Sequence, residues 1–224
     1  MLRLELDVDL GCGSVTTLRV TDKALFARVV ESLLSEKGEY AKEPYLLFDE
    51  DGKRVSPKRK MLVLHTLPEV PLNDRVLVDK LLNRIRNVSE ADTTIYEKIQ
   101  GLSAKLNCVV EETAGFLFGD YSFAKDWDLG TYLKAFSFLP QMGKCYTLLD
   151  NCIRLVELVT DVAPEMPLVM VNAKSFFTNE ELWELFDRAV FSGVQLLLLE
   201  TYNDKVSYEQ ERLIVVDRHF YVHQ

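Results

Sequence analysis

The sequence predicts an α/β protein: a body built on a mainly parallel sheet, interrupted by an inserted arm of long helices. Three observations carry this. Residues 168–200, LVMVNAKSFFTNEELWELFDRAVFSGVQLLLLE, read as strand, capped helix and second strand. Both strands are almost continuously apolar, as strands covered on both faces of a parallel sheet must be. At the other end, residues 2, 4, 6, 8 and 10 of MLRLELDVDL are apolar in strict alternation, the period of a half-buried strand. Between these ends, residues from Ile95 to Phe116 step by 4, 3, 4, 3, 4 and 3 along Ile95, Ile99, Leu102, Leu106, Val109, Thr113 and Phe116. That spacing is a narrow, coiled-coil-like seam on a long helix. The body is therefore expected at 1–57 plus 142–224, split around an arm at 58–141.

Each element has a local reason. GCGS (11–14) turns the chain, and VTTLRV (15–20) is expected to return as the hairpin partner of the first strand. Thr21 fits an N-cap for the helix that follows, and Gly38 fits its stop. PYLLFDEDGKRV is a strand, an Asp-Gly turn and a return strand. Pro57, Pro68 and Pro71 then punctuate the chain before the two long helical patterns begin. The earlier pattern, with Leu72, Val76, Leu81 and Ile85 on its apolar side, is the expected partner for the seam. A helix is expected over 143–161. In the 168–200 unit, Thr178 and Glu181 form a capping box, Leu182, Leu185, Phe186 and Ala189 make the buried face, and Gly193 ends the helix. RLIVVD and HFYVH close the chain as a strand pair. Trp127, Trp183 and Phe176 are expected as core anchors, with a subunit contact as the alternative for Trp183.

Bulk properties narrow the class. At 224 residues and 48% hydrophobic content the chain can bury a sizeable core. No apolar run approaches the roughly 18 residues that span a bilayer. Acids appear too early for a signal peptide, so a cytoplasmic protein without a membrane is expected. The four cysteines, Cys12, Cys108, Cys145 and Cys152, form no C-x-x-C pair, and are expected reduced and mostly buried. Net charge is −9, yet residues 53–105 hold eleven Lys/Arg against six Asp/Glu. A basic middle in an acidic chain fits a DNA-facing surface, and fits a salt-bridged helical region equally well.

Catalytic motifs are missing. A phosphate-gripping loop needs glycines that cluster backbone N–H groups and a lysine for the terminal phosphates. GCGS has two glycines but no lysine, VNAKSFFT has Lys174 without a glycine, and Gly143–Lys144 follows no convincing strand. There is no G-x-S-x-G and no H-E-x-x-H. The scaffold is of nucleotide-site type, while the parts that grip phosphate are absent.

The residues then point to a family. PLVMVNAKSFFTNEELWELFDRAVFSGVQLLLLE resembles the C-terminal signature of the CRISPR-associated adaptation protein of type II-A systems, a ring-forming, double-stranded-DNA-binding family. The matching positions are Val171, Asn172, Phe177, Thr178, Glu180, Glu181, Leu182 and the run from Leu196 to Glu200. LLFDEDGK, KMLVL and the inserted arm agree with it along the rest of the chain. The resemblance implies a degenerate P-loop-like head with a helical leg and no catalytic activity. It also implies a homotetrameric ring around double-stranded DNA, acting in spacer acquisition, with bound calcium near the leg. The implied partners are the CRISPR integrase complex and the RNA-guided effector nuclease. A P-loop-type nucleotide-dependent enzyme and a protein-interaction adaptor without DNA affinity are the competing readings.

Duplex binding that ignores sequence needs many cations at phosphate distance. KRVSPKRK supplies Lys53, Arg54, Lys58, Arg59 and Lys60; Lys134 matches a lysine of the family, and Lys144 is a further candidate. The family tends to carry a second lysine shortly after Lys134, where this chain has the uncharged SFLPQM. Calcium needs clustered hard oxygens. Glu112, Asp120, Asp126 and Asp128 are the candidate ligands, at the end of the arm helix; Glu111 stands beside them and Lys125 in their midst.

Overall fold

The computed structural model describes residues 6–11, 13–49, 51–123, 127–140, 146–201, 206, 208–219 and 221–223. The chain divides into two units, Met1–Leu77 with Gln141–Gln224, and Val78–Pro140. The boundary thus lies about twenty residues later than position 57, and Leu62–Leu64 shows why. Those three residues, lying between prolines and too short to announce themselves, pair with the body's sheet.

In the first unit, β1 (Val15–Val20) leads into α1 (Lys23–Leu34), and β2 (Leu47–Phe48) and β3 (Arg54–Val55) form an antiparallel hairpin of their own. After β4 (Leu62–Leu64) comes α2 (Arg75–Ala91), whose first turn crosses the unit boundary. The second unit continues with α3 (Thr93–Ala114) and α4 (Leu129–Ala135). The chain re-enters the first unit with α5 (Leu148–Val162), β5 (Leu168–Val171), α6 (Asn179–Phe191), β6 (Leu196–Glu200), β7 (Glu211–Val216) and β8 (Val222–His223).

The main sheet runs β4-β5-β6-β1-β7-β8, parallel throughout except for β8, which returns antiparallel beside β7. The predicted hairpin of 2–10 with 15–20 is not formed: β1 lies between β6 and β7, paired in parallel with both. Residues 6–11 are not a strand, but their alternation still has a physical use. Leu6, Val8 and Leu10 press on the apolar cluster of Leu18, Val20, Val169 and Leu199, and the Thr16 hydroxyl donates to the Asp9 carbonyl at 3.2 Å. The N-cap of α1 is Asp22 rather than Thr21; its carboxylate accepts from the Leu25 N–H at 2.7 Å. Thr21 instead donates its hydroxyl to the Val216 carbonyl. The helix ends at Leu34, and Gly38 takes φ +56 in the turn beyond.

The 168–200 unit folds as predicted. All of β5 and β6 is buried. Thr178 and Glu181 exchange both bonds of a capping box, and Leu182, Leu185, Phe186 and Ala189 face inward. Gly193 closes α6 at φ +67, where the Val194 N–H reaches back to Ala189. A second capping box, Thr147 with Asp150, starts α5. Cys152 lies buried on that helix with its thiol pushed up to about 12 by burial, whereas Cys108 is exposed on α3. Trp183 and Phe176 are about half exposed, not core anchors, because both sit off the inward face of their turns.

In the second unit α3 is capped by the Asp92 carboxylate, which accepts from the Thr94 and Ile95 N–H groups. Its buried residue is Ser103, not the predicted seam. Leu102, Leu106 and Val109 are more than half exposed, so no helix among the described residues, α2 included, covers them. Trp127 stacks on Tyr132 at 5.5 Å, and Tyr132 on Phe136 at 4.6 Å, along α4. Among the described residues, no helix is long and apolar enough to cross a membrane.

Candidate nucleic-acid interface

The predicted cations collect on two turns either side of β3. Gly52 takes φ +72 in the first turn, where the Asp49 carboxylate accepts from the Lys53 N–H at 2.8 Å. In the second, Lys60 N–H donates to the Pro57 carbonyl, and Arg59 sits at φ +58 with its N–H on a Glu36 carboxylate oxygen at 3.1 Å. Lys53, Arg54, Lys58, Arg59 and Lys60 are all exposed. Arg54 is tied to Glu39 at 2.7 Å, and that guanidinium holds the Glu39 carboxyl below its usual range. The side chains of Lys53, Lys58, Arg59 and Lys60 have no ion-pair partner among the described residues. Beside them lies a hollow of about 400 Å³ lined by both signs of charge, Glu36 and Glu39 against Lys37 and Arg54.

Lys134 belongs to the second unit, in the last turn of α4. There it lines a polar hollow of about 290 Å³ with Asn83 and Arg86 of α2 and the acids Asp79 and Asp128. Arg86 was not singled out from sequence. It lay within the basic excess of 53–105, but no motif marked it; only the fold brings it to Lys134. Lys144 lies outside the described residues.

Of the candidate calcium ligands, Glu112, Asp120 and Asp128 lie among the described residues. Asp128 is the N-cap of α4, and its carboxylate accepts both the hydroxyl and the backbone N–H of Thr131, at 2.8 and 2.6 Å. Those two bonds, with the charge of Arg86 further off, hold it below the usual carboxylate range. Glu112 and Asp120 are exposed, and Asp126 lies outside the described residues. Among the described residues no three His, Cys, Asp or Glu side chains form a group able to hold a metal ion. Glu112, Asp120 and Asp128 therefore do not by themselves supply a calcium donor set.

The nucleotide-site question is answered at the ends of β5 and β6. Asn172 adopts φ +52, a conformation asparagine tolerates, and its side-chain oxygen accepts from the N–H and hydroxyl of Thr201. Glu200 is fully buried and accepts the Lys174 N–H at 2.9 Å. The Lys174 ammonium does not face a phosphate: it is buried against Glu211 at 2.6 Å, 5.3 Å above the Tyr208 ring. Phe186 meets that ring edge-on at 5.1 Å. The strand-end residues Asn172, Lys174 and Glu200 thus clasp the sheet together.

Glu200 also makes the fold sensitive to pH. Burial pushes its carboxyl up to about 7 from an ordinary 4.5, against the opposing pull of the Lys174 N–H and charge. The other carboxylate oxygen, Oε2, is buried with no hydrogen-bond partner among the described residues. Between these two values the folded state holds a proton that the unfolded chain releases. The stability from this group is full below the unfolded value and is lost as pH rises through about 7. The difference amounts to roughly 3 kcal/mol. Urea unfolding of Glu200→Gln should therefore show a smaller loss of stability between pH 5 and pH 8 than the unaltered chain. Equal losses would show that the carboxyl is already charged in the folded state.

The sequence model of the family described as CRISPR-associated protein (Cas_Csn2) matches residues 39–220. The chain belongs to this Csn2 family. It accordingly has a CRISPR-associated role. No curated protein matches the chain. A solved structure, "Crystal structure of Stu0660 of Streptococcus thermophilus", is similar to it in fold. Its TM-score is 0.57 at 14% identity, over 93% of this chain and 71% of that one. The Csn2 match spans the basic turns, α3 and the clasp of Asn172, Lys174 and Glu200. In this Csn2 member, then, the densest part of the resembled signature is explained by sheet closure, and the exposed cations lie elsewhere, on the turns around β3.

Proposed function

We propose that this chain is a non-catalytic, double-stranded-DNA-binding protein that ignores sequence and acts in CRISPR spacer acquisition as a ring of four copies. The observation that carries the proposal is the exposed set Lys53, Lys58, Arg59 and Lys60, without an ion-pair partner among the described residues, in a member of the Csn2 family. A net charge of −9 repels a polyanion, so a single copy binds weakly at best. Four copies that turn their basic turns toward one central opening overcome this by placing several cations on one duplex at once. Lys134, with Arg86 beside it, adds a second cationic contact in this reading, and Lys144 a third. Cations without base-reading partners position a duplex and leave its sequence unread. The integrase complex and the RNA-guided effector nuclease are the partners proposed for the loaded ring. Mobility shift of two linear duplexes of unrelated sequence tests the proposal. Equal affinities that fall steeply with added salt are expected. A strong preference for one sequence, or binding indifferent to salt, would refute it.

A further inference from the structure

Helix α6 turns an aromatic face outward. At the α-helical repeat, Glu180, Trp183, Glu184, Asp187 and Phe191 fall within about 100° of its circumference, opposite the buried Leu182, Leu185, Phe186 and Ala189. Trp183 is 53% exposed and Phe191 83%. One exposed aromatic side chain is ordinary on a protein surface, but two on one helical face make an apolar patch with a polar rim. Glu180, Glu184 and Asp187 have no ion-pair partner among the described residues. Arg188 is the one cation on α6. Beside α6 packs α5, which adds the exposed Glu157 and Asp161. Neither the clasp of Asn172, Lys174 and Glu200 nor the proposed duplex surface uses these side chains.

We propose that the outer face of α6 docks a cationic segment of a second protein, one whose arginines alternate with apolar side chains. Charge complementarity chooses this occupant. The carboxylates repel nucleic acid and anionic lipid, and attract arginine and lysine. The rings add what charge alone does not. An arginine laid over Trp183 gains a cation–π contact while its fork meets Asp187 one turn along, and an apolar neighbour covers Phe191. This docking goes beyond duplex binding and does not depend on it.

Titration of the full chain with a synthetic peptide of arginine and leucine at helical spacing tests this. In a Trp127→Phe background Trp183 is the sole tryptophan, so its emission reports the face alone. Binding should saturate and shift that emission to the blue. Glu184→Lys with Asp187→Lys should weaken binding about tenfold or more. Asp7→Lys with Asp9→Lys changes net charge equally at exposed positions before β1, and should weaken it less than about threefold. Trp183→Gln, which keeps every charge, should also cost about tenfold, read by polarisation of the labelled peptide. Helical circular dichroism unchanged in all three variants is expected of exposed positions. Equal losses in the two lysine variants, or an unshifted Trp183 emission, would show attraction by overall charge alone and overturn the docking face. Sedimentation of the peptide-free chain altered by Glu184→Lys with Asp187→Lys would show that a second copy covers the face, and would overturn it as well.

Discussion

Replacing Lys53, Lys58, Arg59 and Lys60 together by glutamine lowers affinity for linear duplex by roughly 10²-fold or more and flattens its salt dependence. Each phosphate neutralised contributes a slope of about −0.9 in log affinity against log salt. Four side chains repeated around an assembly therefore leave a large signature even when only some of them touch the backbone. Arg54 is kept in this variant because its guanidinium holds Glu39, and removing it would free an acid beside the surface under test. The four replaced side chains are exposed, so stability should move by no more than about 0.5 kcal/mol. Thermal unfolding of the variant checks that, and titration at three salt concentrations reads the slope. Affinity and slope equal to those of the unaltered chain would place the duplex elsewhere.

Lys174→Met should destabilise the first unit by about 3–5 kcal/mol. The ammonium and the Glu211 carboxylate are 6% and 4% exposed, and Glu200 lies against the same turn. Removing the cation leaves carboxylates in a site that water does not reach, which costs more than the pair itself contributes. For a protein of this size the unfolding midpoint should fall by on the order of 10 °C. Changing both partners, Lys174→Met with Glu211→Met, should recover most of the loss, because two apolar side chains of similar length fill the space without stranding a charge. A double variant no more stable than the single would mean that the cost arises from packing against Tyr208 and not from charge.

The elements most legible in the sequence were those whose signals are local. Thr178 and Glu181 cap α6 three residues apart, and the apolar runs of β5 and β6 need no distant information to be read as buried strands. The first strand was misread for the opposite reason. Alternation at Leu6, Val8 and Leu10 marks side chains that reach the core, yet the partners of β1 arrive some 180 and 195 residues later, from β6 and β7. The three-residue β4 carried too little pattern to reveal that the body continues past Pro57. On α3 the helix is legible from its spacing, but the expected packing of its seam on the preceding helix is not formed among the described residues, where Leu102, Leu106 and Val109 stay exposed. The candidate interface shows the same division. Charge density in KRVSPKRK is plain in the sequence, while the acids that temper it, Glu36 and Glu39, come from the turn after α1 and meet it only through folding. Lys174, which looked like a lysine in search of a phosphate, is consumed by Glu211, 37 residues downstream.

In the proposed function, duplex DNA passes through an opening bounded by copies of this chain. Competition between a linear duplex and the same sequence as a relaxed, covalently closed circle tests it most directly. The linear form has ends to thread, so it should bind far more tightly, and a single cut in both strands of the circle should restore its binding. Equal affinity for the closed circle and the linear form would show that the cations meet DNA from one open side, and would contradict enclosure.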